Sequence, residues 1–283
     1  MDKAVDFNTK VYSYIHTLTR SEKKVADYVL ENMEETIYLT VTELAEKVGV
    51  GETTVLRFCR RIGYKGYQAF RMAVTKEVAK QSNEDFDDID ETNVMQAIVQ
   101  KSTYASIQAL KETASLIGTK ELEKSIELMV KQKRIVMYGS SMSENTAQDA
   151  RNKFLRIGRV VEVYTDAHMQ AMSAATLTDE DLAIGISISG STKDTFDALT
   201  IAKENGAKII SLTHSRRSPI ADISDTVLLT AGRETPLQGG SLGAKISQLL
   251  VIDLLFNGVA SQQQERAKRY KDLTAKAVLD KAY

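Results

Sequence analysis

The sequence predicts an α/β protein: a separate all-α N-terminal domain containing a helix-turn-helix, then a doubly wound, flavodoxin-like parallel sheet. Three observations predict it. Apolar residues in the first eighty positions recur at helical spacing. From residue 134 onward, short apolar runs alternate with helical segments, the pattern of βαβ units. Between the halves the charge changes abruptly. Residues 51–80 carry seven Lys or Arg against two Glu, and residues 81–93 carry six acidic residues and no basic one. The expected boundaries are therefore 1–80 for the helical domain, 81–93 for an acidic linker, and 94–283 for the sheet domain.

The 283 residues, 43% hydrophobic and 27% charged, suffice for one large or two modest domains and exclude a disordered or low-complexity chain. The net charge of −1 hides the dipolar distribution. A single cysteine, Cys59, forbids an intramolecular disulfide and a multi-cysteine zinc cluster; with only three His beside it, no metal and no cofactor are expected. No apolar run reaches the roughly 20 residues that span a bilayer, and the start MDKAVDFNTK lacks the apolar region of a signal peptide. The expectation is a cytoplasmic protein with no membrane partner.

Along the first domain, SEKKVADYVLENM places Val25, Ala26, Val29 and Met33 on one helical face, with Ser21 as the expected N-cap. His16, in an aromatic N-terminal helix, is expected to pack. A second helix follows Thr40, with Leu44, Ala45 and Val48 apolar and Gly49 suited to its left-handed C-terminus. A third, ETTVLRFCRRIG, spaces Val55, Phe58, Cys59 and Ile62 at i, i+3, i+4, i+7, and Cys59 is expected to be a core residue. Opposite lie Thr53, Thr54, Arg57, Arg60 and Arg61, with Lys65 just beyond. Small Ala45 allows close approach, Gly49 makes the turn, and Val50, Val55 and Phe58 fill the wedge. Such a pair presents its second helix to the DNA major groove, where Arg grips guanine, Thr contacts base edges and further cations reach phosphates. A plain helical bundle with a solvated basic face satisfies the same pattern.

The string SEKKVADYVLENME…TVTELAEKVGVGETTVLRFCRRIGYKGYQAFRMAV resembles the N-terminal domain of RpiR-family bacterial transcription regulators, most tellingly in TTVLRFCRRIGYKGYQAF. Gly51 departs from the serine that family usually places at the start of the recognition helix; glycine there costs only a few tenths of a kcal/mol.

Residues 94–132 are helix-patterned. RIVMYG, RVVEVY, DLAIGISI, AKIISLT and DTVLLT then arrive as five short apolar runs separated by helical stretches such as STKDTFDALTIAKENGA. In a doubly wound sheet, ligands bind outside the carboxyl ends of the strands. Two of those ends are rich in hydroxyls: Tyr138-Gly139-Ser140-Ser141, and Ile186-Ser187-Ile188-Ser189-Gly190-Ser191-Thr192. Glycine lets the backbone approach an anion, and hydroxyls, free N–H groups and a helix N-terminus can then hold phosphate oxygens. Caps and turns use the same residue types. No G-x-x-x-x-G-K-[ST] and no post-strand G-x-G-x-x-G competes. The helix in SLGAKISQLLVIDLLFNGVASQQ is apolar nearly all round, which implies burial on two sides, by the sheet and by a neighbouring subunit or a second layer of the same chain. Residues 262–283 read as a solvated tail helix.

GISISGSTKDT…AKENGAKIISLTHSRRSPIADISD resembles the sugar isomerase (SIS) domain that follows the helix-turn-helix in RpiR-type regulators; YGSS, TDAHMQ and GRE also recur there, and the resemblance implies a domain core at 125–260. The resemblance implies that Ser141, Ser187, Ser189 and Thr192 contact a phosphate, with Ser140 and Ser191 as seconds. Ile188 stands where SIS enzymes often have a polar residue. The resemblance also singles out His168 and Glu234: in SIS isomerases and synthases a Glu and a His can shuttle protons, and here both are expected to bind sugar hydroxyls or cap local structure. His214 reads as a surface or interface residue. The implied function is a regulator, not an enzyme, whose affinity for double-stranded operator DNA in carbohydrate metabolism genes is modulated by a phosphosugar effector. A homodimer or homotetramer is expected, because one helix-turn-helix covers little DNA. The alternative is a sugar-phosphate aldose-ketose isomerase with a helical adaptor.

Overall fold

A computed structural model describes residues 7–84, 94–232 and 241–281. The chain divides into two compact units between Ser102 and Thr103.

The first unit is helical: α1 (Phe7–Tyr14), α2 (Arg20–Glu31), the single turn α3 (Met33–Thr36), α4 (Val41–Val48), α5 (Glu52–Arg61) and α6 (Tyr67–Glu84). Its core gathers Val25, Ala26, Val29, Leu44, Ala45, Val55, Phe58, Cys59 and Ile62 with Phe70 of α6. Phe58 meets the Phe70 ring edge-on at 5.7 Å. Cys59 is buried, and burial pushes its thiol up to about 12, so it is a packing residue. Two details differ from expectation. Thr19, not Ser21, caps α2: its hydroxyl accepts from Glu22 N while Glu22 Oε2 accepts from Thr19 N, a full capping box. His16 lies exposed in a 3-10 turn, because α1 ends at Tyr14. Helix α6 also runs to Glu84, four residues into the segment read as linker; residues 85–93 lie outside the described residues.

In the second unit, α7 (Val94–Leu116, which begins in the first unit) and α8 (Thr119–Lys131) lead into β1 (Arg134–Gly139), α9 (Met142–Leu155), β2 (Val161–Tyr164), α10 (Ala167–Ala174), β3 (Asp181–Ile186), α11 (Lys193–Glu204), β4 (Lys208–Thr213), α12 (Pro219–Asp222) and β5 (Thr226–Leu229). The sheet is parallel in the order β2-β1-β3-β4-β5, the flavodoxin-like order. Alternation along β1 builds both layers. Ile135 and Met137 join α8, α9 and a long helix α13 (Leu242–Gln262) on one face, and Val136 and Tyr138 join α10, α11 and α12 on the other.

Helix α13 is long and apolar enough to cross a bilayer by length and composition, contrary to the expectation that no such run exists. Here it is a core helix. Val251, Ile252, Leu255 and Val259 are buried under the sheet. Gln248 is buried too, its Oε1 accepting from Thr146 and its Nε2 donating to Ser143. The second side of the helix, at Ile246, Leu249, Leu250 and Leu254, is half-buried. Helix α14 (Gln264–Lys276) is the expected solvated tail helix, with only Ala267 buried.

Candidate functional site

The sheet order reverses between β1 and β3, which pair with Gly139 opposite Ile186. The residues that follow, Ser140-Ser141 and Ser187–Thr192, therefore leave the sheet side by side at the switch point, where such sheets bind ligands. Parallel register alone brings the two hydroxyl loops together.

In the first loop, Ser141 is exposed and holds φ 56°, ψ −125°, the one non-glycine residue at positive φ among those described. It occupies the N-cap position of α9 yet its side chain makes no capping bond. Such a conformation costs on the order of 1–3 kcal/mol and collects at ligand sites. Ser141→Gly is expected to relieve the strain, raising the melting temperature by a few degrees, while weakening anion binding; a thermal melt with a ligand titration checks both. An unchanged or lowered melting temperature would remove the strain argument.

In the second loop, Ser187, 2% exposed, shares a 2.8 Å hydrogen bond with Thr192 Oγ1. Thr192 is the N-cap residue of α11 but makes no capping bond, because its hydroxyl is turned to Ser187. The helix thus keeps an uncapped N-terminus facing its own loop, with N–H groups and the positive end of its dipole available. Ser189 Oγ accepts from Ser191 N at 3.2 Å; with a lone pair so engaged, its proton is left to donate outward. Ser191 Oγ donates back to the Ser189 carbonyl at 3.4 Å. Gly190 sits at φ 66°, where a Cβ would lie 2.1 Å from Ser218 Oγ and 2.8 Å from Thr213 Oγ1. At the N-termini of α2, α4 and α13, Thr19, Thr40 and Ser241 each accept from a backbone N–H, while Ser218, ahead of the four-residue α12, does not. Ser141 and Thr192 do not either.

His168 is exposed in the first turn of α10, about 200° around the helix from Gln170, whose side chain reaches Ser140. Among the described residues no hydrogen bond joins the His168 ring to the hydroxyl loops. Glu234 lies outside the described residues. His214 is half-buried at the end of β4, its Nδ1 donating to the Thr230 carbonyl at 3.0 Å. Gln170 is the residue sequence reasoning passed over: TDAHMQ was visible as a block, but no spacing rule gives its glutamine a role.

The helical unit brings the other group together. Gly49, φ 69°, ends α4, and Val50 N donates to the Ala45 carbonyl at 2.9 Å, which turns the chain sharply into α5. Thr42 Oγ1 donates to Glu52 Oε1 at 2.5 Å, tying the two first turns. Thr53, Arg57 and Arg60 follow at i, i+4, i+7 and are all exposed, with Lys65 exposed beyond them. Thr54 is half-buried. Arg61 is engaged elsewhere: its Nη1 donates to the Thr17 carbonyl at 2.8 Å and its Nε lies 3.4 Å from Glu22 Oε1.

The profile of the helix-turn-helix domain of the rpiR family matches residues 6–81, and that of the SIS domain matches residues 128–258. An uncharacterized HTH-type transcriptional regulator of Haemophilus influenzae is 38% identical over 99% of both chains. The chain belongs to the RpiR family of transcriptional regulators. RpiR of Escherichia coli K12 is 29% identical, the match covering 88% of this chain and 84% of that one. Among solved structures, the Vibrio vulnificus NanR protein complexed with ManNAc-6P superposes with a TM-score of 0.86 at 30% identity, over 98% of this chain and 99% of that one. Phosphoheptose isomerase GmhA of Neisseria gonorrhoeae, at 18% identity, TM-score 0.52, and coverage of 59% of this chain and 100% of its own, shares the sheet fold alone. As an RpiR-family regulator, the chain pairs a DNA-reading module with a SIS domain.

Proposed function

We propose that this regulator binds operator DNA of carbohydrate metabolism genes through Thr53, Arg57, Arg60 and Lys65, and that a phosphosugar held by the two hydroxyl loops alters that affinity. The observation that carries the ligand reading is the pair of uncapped helix N-termini behind Ser141 and Thr192. Residue types that cap α2, α4 and α13 leave these two helix N-termini without a side-chain cap where two loops converge, an arrangement suited to a phosphate. The ManNAc-6P complex of NanR supports the same class of ligand. Ser140, Ser187, Ser189, Ser191 and Thr192 would supply hydroxyls. The isomerase alternative leaves the recognition helix without a purpose. The protein would act in the cytoplasm as a homodimer or homotetramer, with Met95, Ile98, Val99 and Tyr104 of α7, all exposed, as apolar surface for a second copy. Light scattering at micromolar concentration should return an even multiple of 31.4 kDa.

The test is a DNA-binding isotherm with increasing N-acetylmannosamine 6-phosphate and other hexose 6-phosphates. Wild type should change its operator affinity by about 5- to 150-fold, the usual range of coupling. Ser189→Ala should leave ligand-free DNA binding unchanged and respond only at about tenfold more ligand, the loss of one charge-assisted hydrogen bond. Equal response of both proteins would make the second loop a structural turn.

A further inference from the structure

Gln170 is fully buried on α10 (0% exposed). Its Nε2 donates to Ser140 Oγ at 3.3 Å and to the Thr165 carbonyl at 3.2 Å, and its Oε1 is buried without a hydrogen-bond partner. A buried amide with an orphaned carbonyl is a costly way to fill space; an apolar side chain of equal length would pack there without that cost. Helix α10 itself has no open N-terminus to offer, because Asp166 Oδ1 accepts from His168 N and Met169 N, both at 3.0 Å. What α10 contributes to the first hydroxyl loop is this one amide.

The direction of the bond matters. A serine hydroxyl has one proton and two lone pairs. The Thr165 carbonyl can only accept, so it holds the amide with nitrogen toward it, and the same nitrogen donates to Ser140. With a lone pair of Ser140 engaged, its proton is free to donate. A phosphate oxygen accepts hydrogen bonds, so a serine held as a donor is the useful form.

We propose that Gln170 is the positioning residue of the phosphosugar site: it fixes the Ser140 hydroxyl as a proton donor toward the phosphate. The inference rests on the ligand reading above. It assigns Gln170 no contact with the ligand, since its effect passes through Ser140.

A double-mutant cycle tests it, with N-acetylmannosamine 6-phosphate and inorganic phosphate titrated into the full-length protein by calorimetry. Gln170→Met keeps the length and removes the donor, and should weaken wild-type binding about tenfold. In a Ser140→Ala background the same change should have no further effect. Gln170→Glu, an acceptor of the same shape, reverses the bond, turns a Ser140 lone pair toward the phosphate and adds negative charge. It should weaken binding by about a hundredfold or more, with Gln170→Leu standing in for Gln170→Met if that variant does not fold. Equal losses from the apolar substitution in both backgrounds, or no loss in wild type, would overturn the positioning role while leaving the phosphosugar site intact. Failure of the wild type to bind either probe would overturn the ligand reading, and this inference with it.

Discussion

Gly190→Ala is expected to abolish phosphosugar binding and to destabilise the sheet domain. Alanine at φ 66° costs about 1–2 kcal/mol for the left-handed backbone. Its methyl would also overlap Ser218 Oγ at 2.1 Å and Thr213 Oγ1 at 2.8 Å. Neither neighbour can retreat cheaply. Ser218 Oγ donates to the Ser215 carbonyl; Thr213 Oγ1 donates to the Ile188 carbonyl and accepts from Ser215 N. Overpacking of this kind adds about 1–3 kcal/mol, and together the terms should lower the melting temperature by roughly 5–15 °C. The loop is held from several sides, with Ile220 N donating to the Gly190 carbonyl and His214 N to that of Ile188. Displacing it moves Ser187, Ser189 and Thr192 at once. Thermal melts and calorimetric titration with N-acetylmannosamine 6-phosphate provide the check. Wild-type stability and affinity in the alanine variant would show that the loop has room the geometry denies it.

Arg57 and Arg61, one helical turn apart, are expected to separate DNA affinity from stability. Arg57 is exposed on the strip that includes Thr53 and Arg60. Its replacement by alanine should leave the fold within about 0.5 kcal/mol of wild type and weaken operator binding by about 1–3 kcal/mol if it grips a base. Arg61 instead joins the end of α5 to the start of α2. The Glu22 side chain it faces is 3% exposed and is the capping-box carboxylate of α2. Arg61→Ala leaves that carboxylate short of a partner and the Thr17 carbonyl short of a donor, which should destabilise the helical unit by about 1–3 kcal/mol. Urea melts and gel shifts on operator and scrambled duplex read the two quantities separately. A stable Arg61→Ala with lost DNA binding would return Arg61 to the reading face.

Much of this was legible in the chain. The strands fall on the short apolar runs, because a parallel strand buried on both faces is largely apolar; the edge strand β2 is half-buried and carries Glu162. The recognition helix was legible for a related reason: Val55, Phe58, Cys59 and Ile62 repeat at helical spacing, so the opposite face had to be the polar one. Capping was harder to read. Ser21 looked like the start of α2, but Thr19 and Glu22 stand at the separation that closes a reciprocal pair, and two donors satisfied outweigh one. The apolar α13 could have belonged to a bilayer or a core; its burial against α8, α9 and the sheet puts it in the core.

The sequence by itself determined the order of elements, the basic helix and the two hydroxyl loops, because each is a local pattern of residue types along the chain. Only the tertiary structure decided that the Ser141 and Thr192 hydroxyls do not cap their helices. Ser141 and Thr192 have the composition of caps, and a cap differs from an anion ligand only in where one oxygen points. That direction is set by partners distant in sequence: the β1–β3 register that brings the loops together, Gln170 beneath Ser140, and Thr213 and Ser218 behind Gly190. The same holds for Arg61, whose guanidinium is claimed by Glu22, thirty-nine positions earlier. Periodicity places a side chain on a face, but a hydrogen bond between distant segments depends on packing, and no local pattern encodes it.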